Sequence, residues 1–245
     1  MCAMKKTILT AALALFAAWG LRAQDAQAIR TASGSQSEWL ASFSAIAVDA
    51  PLDLRLVRVA GDEAPRIVYD TKGSYTSKFK AVVKEGTLRI TERPASSRLA
   101  RTEVTVYYNE LRQLTATDAT VLFADTLPTT LLDLTAGGQA KLTAAVDCAD
   151  LTLEISGKSE VLLTGKARYL SAFVSTGKLE AGGLETLSSQ INAQSGGDAS
   201  VWVTDRIEAK TTTNGRVVFR GHPAVIRGGS KFMGGAIMQV EEIRE

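Results

Sequence analysis

Cysteine, histidine and long apolar runs are scarce in this chain, and each scarcity removes a class of protein. Of the two cysteines, Cys2 precedes an apolar N-terminal run. A chain cleaved after that run keeps only Cys148 and forms no intramolecular disulfide. Cys148 lies between Val146 and Leu151 and is expected to be buried, as a small apolar group. His222 is the only histidine. It sits in the turn-like Arg-Gly-His-Pro and is expected to face solvent. One histidine in a turn builds neither a Ser-His-Asp triad nor a histidine metal centre. Beyond the N-terminus no run reaches ~18 apolar residues, so no membrane span is expected there.

A charge of one sign is missing as well. Residues 1–23 have a basic start (Lys5, Lys6), an apolar stretch from Ile8 to Trp19 and a small-residue end at Leu21-Arg22-Ala23. That is the pattern of a secretory signal peptide. Cys2 stands before the apolar stretch, so it is no lipoprotein cysteine, and a soluble exported protein is expected. Cleavage removes Lys5, Lys6 and Arg22 and no acid, turning the net charge of +2 into −1. A near-neutral chain has no field to gather nucleic acid or anionic membrane. The basic loop with Arg93, Arg98 and Arg101 has no interleaved aromatics and does not alter that.

What is present is alternation with a period of two. Residues 24–42 are small and polar and read as a mobile leader, with Trp39 and Leu40 placed to dock it. From Phe43 strands follow: Phe43-Ser-Ala-Ile-Ala-Val, then Pro51, then Leu52-Asp-Leu-Arg-Leu-Val-Arg-Val. Arg66-Ile-Val-Tyr is a short strand. Phe79-Lys-Ala-Val-Val-Lys and Thr87-Leu-Arg-Ile-Thr read as a hairpin about Glu85-Gly86. Glu103-Val-Thr-Val-Tyr-Tyr is another strand. No window holds a helical period for three turns. Residues 43–110 are therefore read as an N-terminal β portion.

From Leu111 a phrase of about twenty residues recurs. Its corners are Thr117, Gly138, Gly157, Gly177, Gly197 and Thr213, at steps of 21, 19, 20, 20 and 16, with Gly228-Gly229-Ser230 read as a last corner. A unit with short alternating strands cannot bury its apolar side alone, so stacked coils are expected over 111–240. Asp118, Asp198 and Asn214 fall at or beside the corners, where a positive φ is tolerated by Gly, Asn and Asp. Each strand should then pair with its counterpart about twenty residues on.

Several features in order resemble the putative auto-transporter adhesin family with the head GIN domain. They are Phe43-Ser-Ala-Ile-Ala-Val-Asp-Ala-Pro-Leu-Asp-Leu, Gly86-Thr-Leu-Arg-Ile, Val104-Thr-Val-Tyr-Tyr, the Ser156-Gly157 and Ser195-Gly196 corners, and Phe219-Arg-Gly-His-Pro. The resemblance covers about 43–240, which would together form one head GIN domain. It implies an all-β protein: a right-handed parallel β-helix-like solenoid with the N-terminal β portion packed on it. It also implies the cell envelope or exterior, and it brings no reaction. Thr117-Asp118, Thr176-Gly177-Lys178 and Thr213-Asn214 are less glycine-rich than the family's corners.

The chemistry-bearing residues point the same way. Gly137-Gly138-Gln139 and Gly196-Gly197-Asp198 are similar to calcium-binding coils, which need an acid in each successive coil. The column here runs Asp118, Gln139, Lys158, Lys178, Asp198, Asn214, so no metal site is assigned. A carbohydrate-active β-helix enzyme, lyase or hydrolase, is the alternative; it needs grouped carboxylates. Asp133, Asp147, Asp150, Glu154, Glu160 and Glu180 are instead scattered one per coil. No catalytic or cofactor-binding residue is assigned. Lys141, Glu160, Glu180, Ser200 and Arg216 read as a mixed outward ladder. Leu162, Trp202 and Val218 read as an outward apolar stripe, the kind of surface that marks a partner contact. The expectation is a non-catalytic structural or adhesin-like module in the periplasm, on the outer-membrane surface or outside the cell. Its partner would be a surface glycan or an envelope protein, with homo-oligomerisation left open.

Overall fold

The computed structural model describes residues 34–72, 78–93 and 100–240. They form seventeen strands and, among the described residues, no helix. The expected signal peptide and Arg98 lie outside the described residues.

The first strands are β1 (Gln36–Trp39), β2 (Ala45–Asp49), β3 (Asp53–Arg58), β4 (Arg66–Asp70), β5 (Phe79–Lys84), β6 (Thr87–Glu92) and β7 (Glu103–Tyr108). Period-two patterning decides their facing. In β3 Leu54 and Leu56 are buried, while Arg55 between them is exposed. The β5–β6 hairpin turns on Glu85 (φ 52) and Gly86 (φ 72), the two positive values of a type I′ turn. Leucine 40 docks the chain beside β1, but Trp39, expected to dock with it, is 70% exposed. Within the expected leader, Gln36–Trp39 is thus a strand; four residues are too few to display a period.

The solenoid then winds through β8 (Gln113–Thr117), β9 (Thr120–Phe123), β10 (Leu127–Gly137), β11 (Lys141–Ile155), β12 (Glu160–Ser175), β13 (Lys178–Gln194), β14 (Asp198–Thr212), β15 (Arg216–Arg220), β16 (Val225–Phe232) and β17 (Ala236–Gln239). Each coil pairs in parallel with the next. Leu142, Val161, Leu179, Ala199 and Val217 form one inward column. Leu134, Leu153, Ala172, Ile191 and Ala209 form another. No residue of either column is more than 4% exposed. One continuous core results, to which each fully buried large apolar side chain contributes roughly 1.5–3 kcal/mol.

The N-terminal β portion packs on the repeat through the same ladder. Strand β2 pairs with β8 and β3 with β9, both parallel, so the sheet crosses 110/111 without a break. Strands β6 and β7 come later in sequence yet lie outside β2 and β3, as the first coil. Antiparallel β5 and β4 cover β6 and β7, and β1 covers β4. Tyr69 stacks on Phe79 across this end, with centroids 4.3 Å apart. The Tyr69 hydroxyl, 2.7 Å from Gln36 Oε1 and Glu38 Oε1, donates to β1. Burial, then Glu38, pushes its pKa well above the ordinary phenol.

Each corner makes two demands on the chain. One position needs a left-handed backbone: Asp118, Gly138, Gly157, Thr176, Ser195, Thr213 and Met233 all have positive φ. The less glycine-rich coils therefore keep this geometry, with Thr176 (φ 62) and Thr213 (φ 50) in a strained region. The other position needs a small residue: Ala119, Ala140, Ser159, Gly177, Gly197, Gly215 and Gly235. A Cβ on Gly197 would stand 2.4 Å from Val174 O of the coil beneath. The last corner is Met233-Gly234-Gly235, not Gly228-Gly229-Ser230. Gly228 pairs with Ala209 inside β16.

Candidate functional site

Alternation sends every second residue outward, and the parallel register stacks these into columns. Just past the corner the column reads Asp53, Thr120, Lys141, Glu160, Lys178, Asp198, Arg216, Ala236. Its charges alternate and pair. Lys141 Nζ is 3.3 Å from Glu160 Oε2. Arg216 donates from Nε and Nη2 to the two oxygens of Asp198, at 3.0 and 2.5 Å. Lys178 Nζ turns along its own strand to Glu180, at 2.6 Å. These hydrogen bonds raise the pKa of Arg216 and of Lys178. The expected ladder holds at Lys141, Glu160 and Arg216. Glu180 and Ser200, however, stand one outward place further along, and Lys178 and Asp198 occupy their rungs.

The same slip affects the expected stripe. Leu162 and Val218 share a column, but Glu180 and Ser200 stand between them: Leu122, Thr143, Leu162, Glu180, Ser200, Val218, Met238. Trp202 lies one outward place further on, between Glu185 and Arg220. The three residues therefore do not join into one apolar stripe. Counting from Gly157 and Gly197 equates a left-handed position with a close-approach position, a two-residue error that preserves facing but moves the side chain along the strand. Leu162 is 46% exposed, whereas Trp202 and Val218 are partly covered. The Arg220 guanidinium lies over the Trp202 indole, 4.2 Å from its centroid. This stack went unread in the sequence. Its signal was Gly182-Gly183, since glycines inside a strand mark a bulge, and the β13–β14 register shifts between Ala181 and Glu185.

On the adjoining face the outward residues of β12 and β13 carry no charge. Ser171 stands beside Gln190, Phe173 beside Asn192, and Ser175 beside Gln194. Ser171 and Gln190 are exposed and the other four half-exposed. Hydroxyls along β12 and the Asn192 amide of β13 thus adjoin the half-exposed Phe173 ring, with Glu154 of β11 on its other side, an arrangement that offers donors, acceptors and a stacking face.

At the bend before this face a groove of about 550 Å³ is walled by Asp147, Cys148, Lys166, Arg168, Glu185 and Leu187, among others. Lys166 Nζ is 3.8 Å from Glu185. Cys148 is 7% exposed, the burial its flanks imply. Burial, followed by Asp147 and Asp150, pushes its thiol up to about 11. His222 is exposed. Among the described residues no three His, Cys, Asp or Glu are grouped to hold a metal. Asp118, first in the column compared with calcium coils, accepts the Gln139 N–H on Oδ1 at 2.8 Å and so braces the next corner. Arg101 donates to the carbonyls of Leu52 and Asp118, both at 3.0 Å, and pairs with Asp53, so this basic-loop residue ties coils together.

The fold and its outward columns define an all-β solenoid with a scaffold core and patterned sides. The chain belongs to the family described as putative auto-transporter adhesin, head GIN domain, whose model matches residues 42–223. It is similar in structure to a putative adhesin from Bacteroides fragilis NCTC 9343 (TM-score 0.71, 18% identity), covering 84% of this chain and 96% of that one. A putative adhesin from Parabacteroides distasonis ATCC 8503 gives 0.60 at 18% identity, over 84% and 96%. A putative lipid binding protein from the same organism gives 0.54 at 18%, again over 84% and 96%. At these identities the likeness is one of fold. No protein of curated function matches the chain.

Proposed function

We propose that this is an exported, non-catalytic module of the cell envelope or surface that holds a surface glycan on the side of its solenoid. The observation that carries this reading is the uncharged patch of Ser171, Phe173, Ser175, Gln190, Asn192 and Gln194, held flat and in register by two long parallel strands. Neutral sugars present hydroxyls to hydroxyls and amides, and an apolar ring face to an aromatic. A patch on a rigid sheet offers these groups without first ordering a loop. Leu162, with the paired charges beside it, and the Trp202–Arg220 stack are flanking contacts that an envelope protein would use. Membership of an adhesin-named family supports the same direction. The signal-peptide pattern at 1–23 supports export.

Fractionation of the native cell, with protease accessibility on intact cells, tests the address. Cleavage of the protein without lysis is the expected result. Full protection until the cytoplasm is opened would sink the proposal.

A further inference from the structure

The two ends of the stack are closed to different degrees. In the first coil the inward residues Leu88, Ile90, Val104 and Val106 are at most 2% exposed, because β5 and β4 lie against that coil. The outer strand β5 also carries exposed Lys80 and Lys84, charges that deter further edge pairing. In the last coil Ile226 stands in register on Ile207, and Ile237 on Val217. Ile207 and Val217 are 0% exposed, whereas Ile226 is 52% exposed and Ile237 only partly buried. Both face the core axis, as their partners do. Among the described residues no strand pairs beyond β16 and β17. Met238 and Val240 add exposed apolar surface at the same end.

We propose that this open end is the interface of a closed homodimer, two copies meeting tail to tail about a two-fold axis with β17 pairing antiparallel to its own copy. Three observations select a second copy. Strand β17, Ala-Ile-Met-Gln, is uncharged, and the charged column ends one coil earlier at Arg216, so two such edges approach without like-charge repulsion. The opposite end of this solenoid is itself completed by antiparallel strands, so its ladder accepts that pairing. With that end covered, head-to-tail growth has no second surface, and assembly closes at two copies.

Sedimentation equilibrium of the exported chain, beside Met238→Lys and a chain ending at Val240, tests this. Met238 points outward, so its lysine leaves the monomer fold intact while setting like charges across the two-fold axis. The expected result is a two-chain mass for the exported chain and at least tenfold weaker association for Met238→Lys, with the same urea midpoint when both are dilute monomers. Met238→Cys in a Cys148→Ala background should form a disulfide-linked dimer on oxidation, and Leu122→Cys, further up the same column, should not. A chain that stays monomeric at its highest soluble concentration overturns the proposal. So does a dimer that Met238→Lys leaves intact and Met238→Cys fails to trap. A monomer that dimerises only when 241–245 are removed overturns it too, by assigning the end to the chain's own tail.

Discussion

The Arg220 guanidinium covers the Trp202 indole on the neighbouring rung, 4.2 Å from the ring centroid. An aromatic held this way belongs first to the scaffold. Trp202→Ala should destabilise the fold by about 2 kcal/mol, below the ~3–5 typical of fully buried Trp because the ring is half-exposed. Arg220→Ala should remove the cation–π contribution, and a double-mutant cycle in urea should return a coupling of ~0.5–1 kcal/mol. A coupling of zero would mean that the two side chains merely lie close.

Gly165 is the residue whose replacement should damage the solenoid most. It sits inside β12 with φ 106, and a Cβ there would stand 2.1 Å from Val146 O of the adjacent coil. Gly165→Ala combines backbone strain with a clash against an immobile carbonyl and should destabilise by about 3 kcal/mol or more. Gly61→Ala is the control. Nothing lies within 4 Å of a Cβ there, and its effect should stay within ~0.5 kcal/mol. Chemical denaturation of the two variants side by side decides the matter.

Cys148 makes stability depend on pH at the alkaline end. Burial raises its thiol from 9.0 to about 11, so between those values the folded chain holds a proton that the unfolded chain has lost. The native state then binds more protons, and its contribution, fully present below pH 9, falls as pH rises through 11. Cys148→Ser should flatten the stability profile across that window. The native thiol should also resist a thiol-specific reagent at pH 8 and react at once in denaturant, since the thiolate is the nucleophile.

Much of this architecture was legible in the sequence because period-two alternation and a recurrence of about twenty residues are direct consequences of strands stacked in coils. Cys148 was placed correctly from its apolar flanks, and Lys141 beside Glu160 from equal distances to their corners. Two things were not legible. Nothing local says that β6–β7 lies outside β2–β3, because long-range pairing decides it. The corner glycines hid two positions: Gly157 stands at the left-handed one, with φ 70 and the Gly138 carbonyl close by, and Gly197 two places further on at the one that only needs a small residue over the Val174 carbonyl. Composition cannot separate these, so the outward columns slipped by two residues and Trp202 was set beside Leu162 and Val218. The uncharged patch about Phe173 was missed for a related reason. Ser, Gln and Asn on alternate positions read as ordinary solvent-facing residues until register sets them side by side.

The most direct test of glycan binding is retention of the exported chain on immobilised envelope and surface glycans, compared with Phe173→Ala and with the soluble products released. The expected result is saturable retention of the unaltered chain, about tenfold weaker retention of Phe173→Ala from loss of one stacking contact of ~1 kcal/mol or slightly more, and no new reducing or unsaturated ends in solution. Equal retention of Phe173→Ala, no retention of either protein, or steady release of cleaved sugar would contradict it.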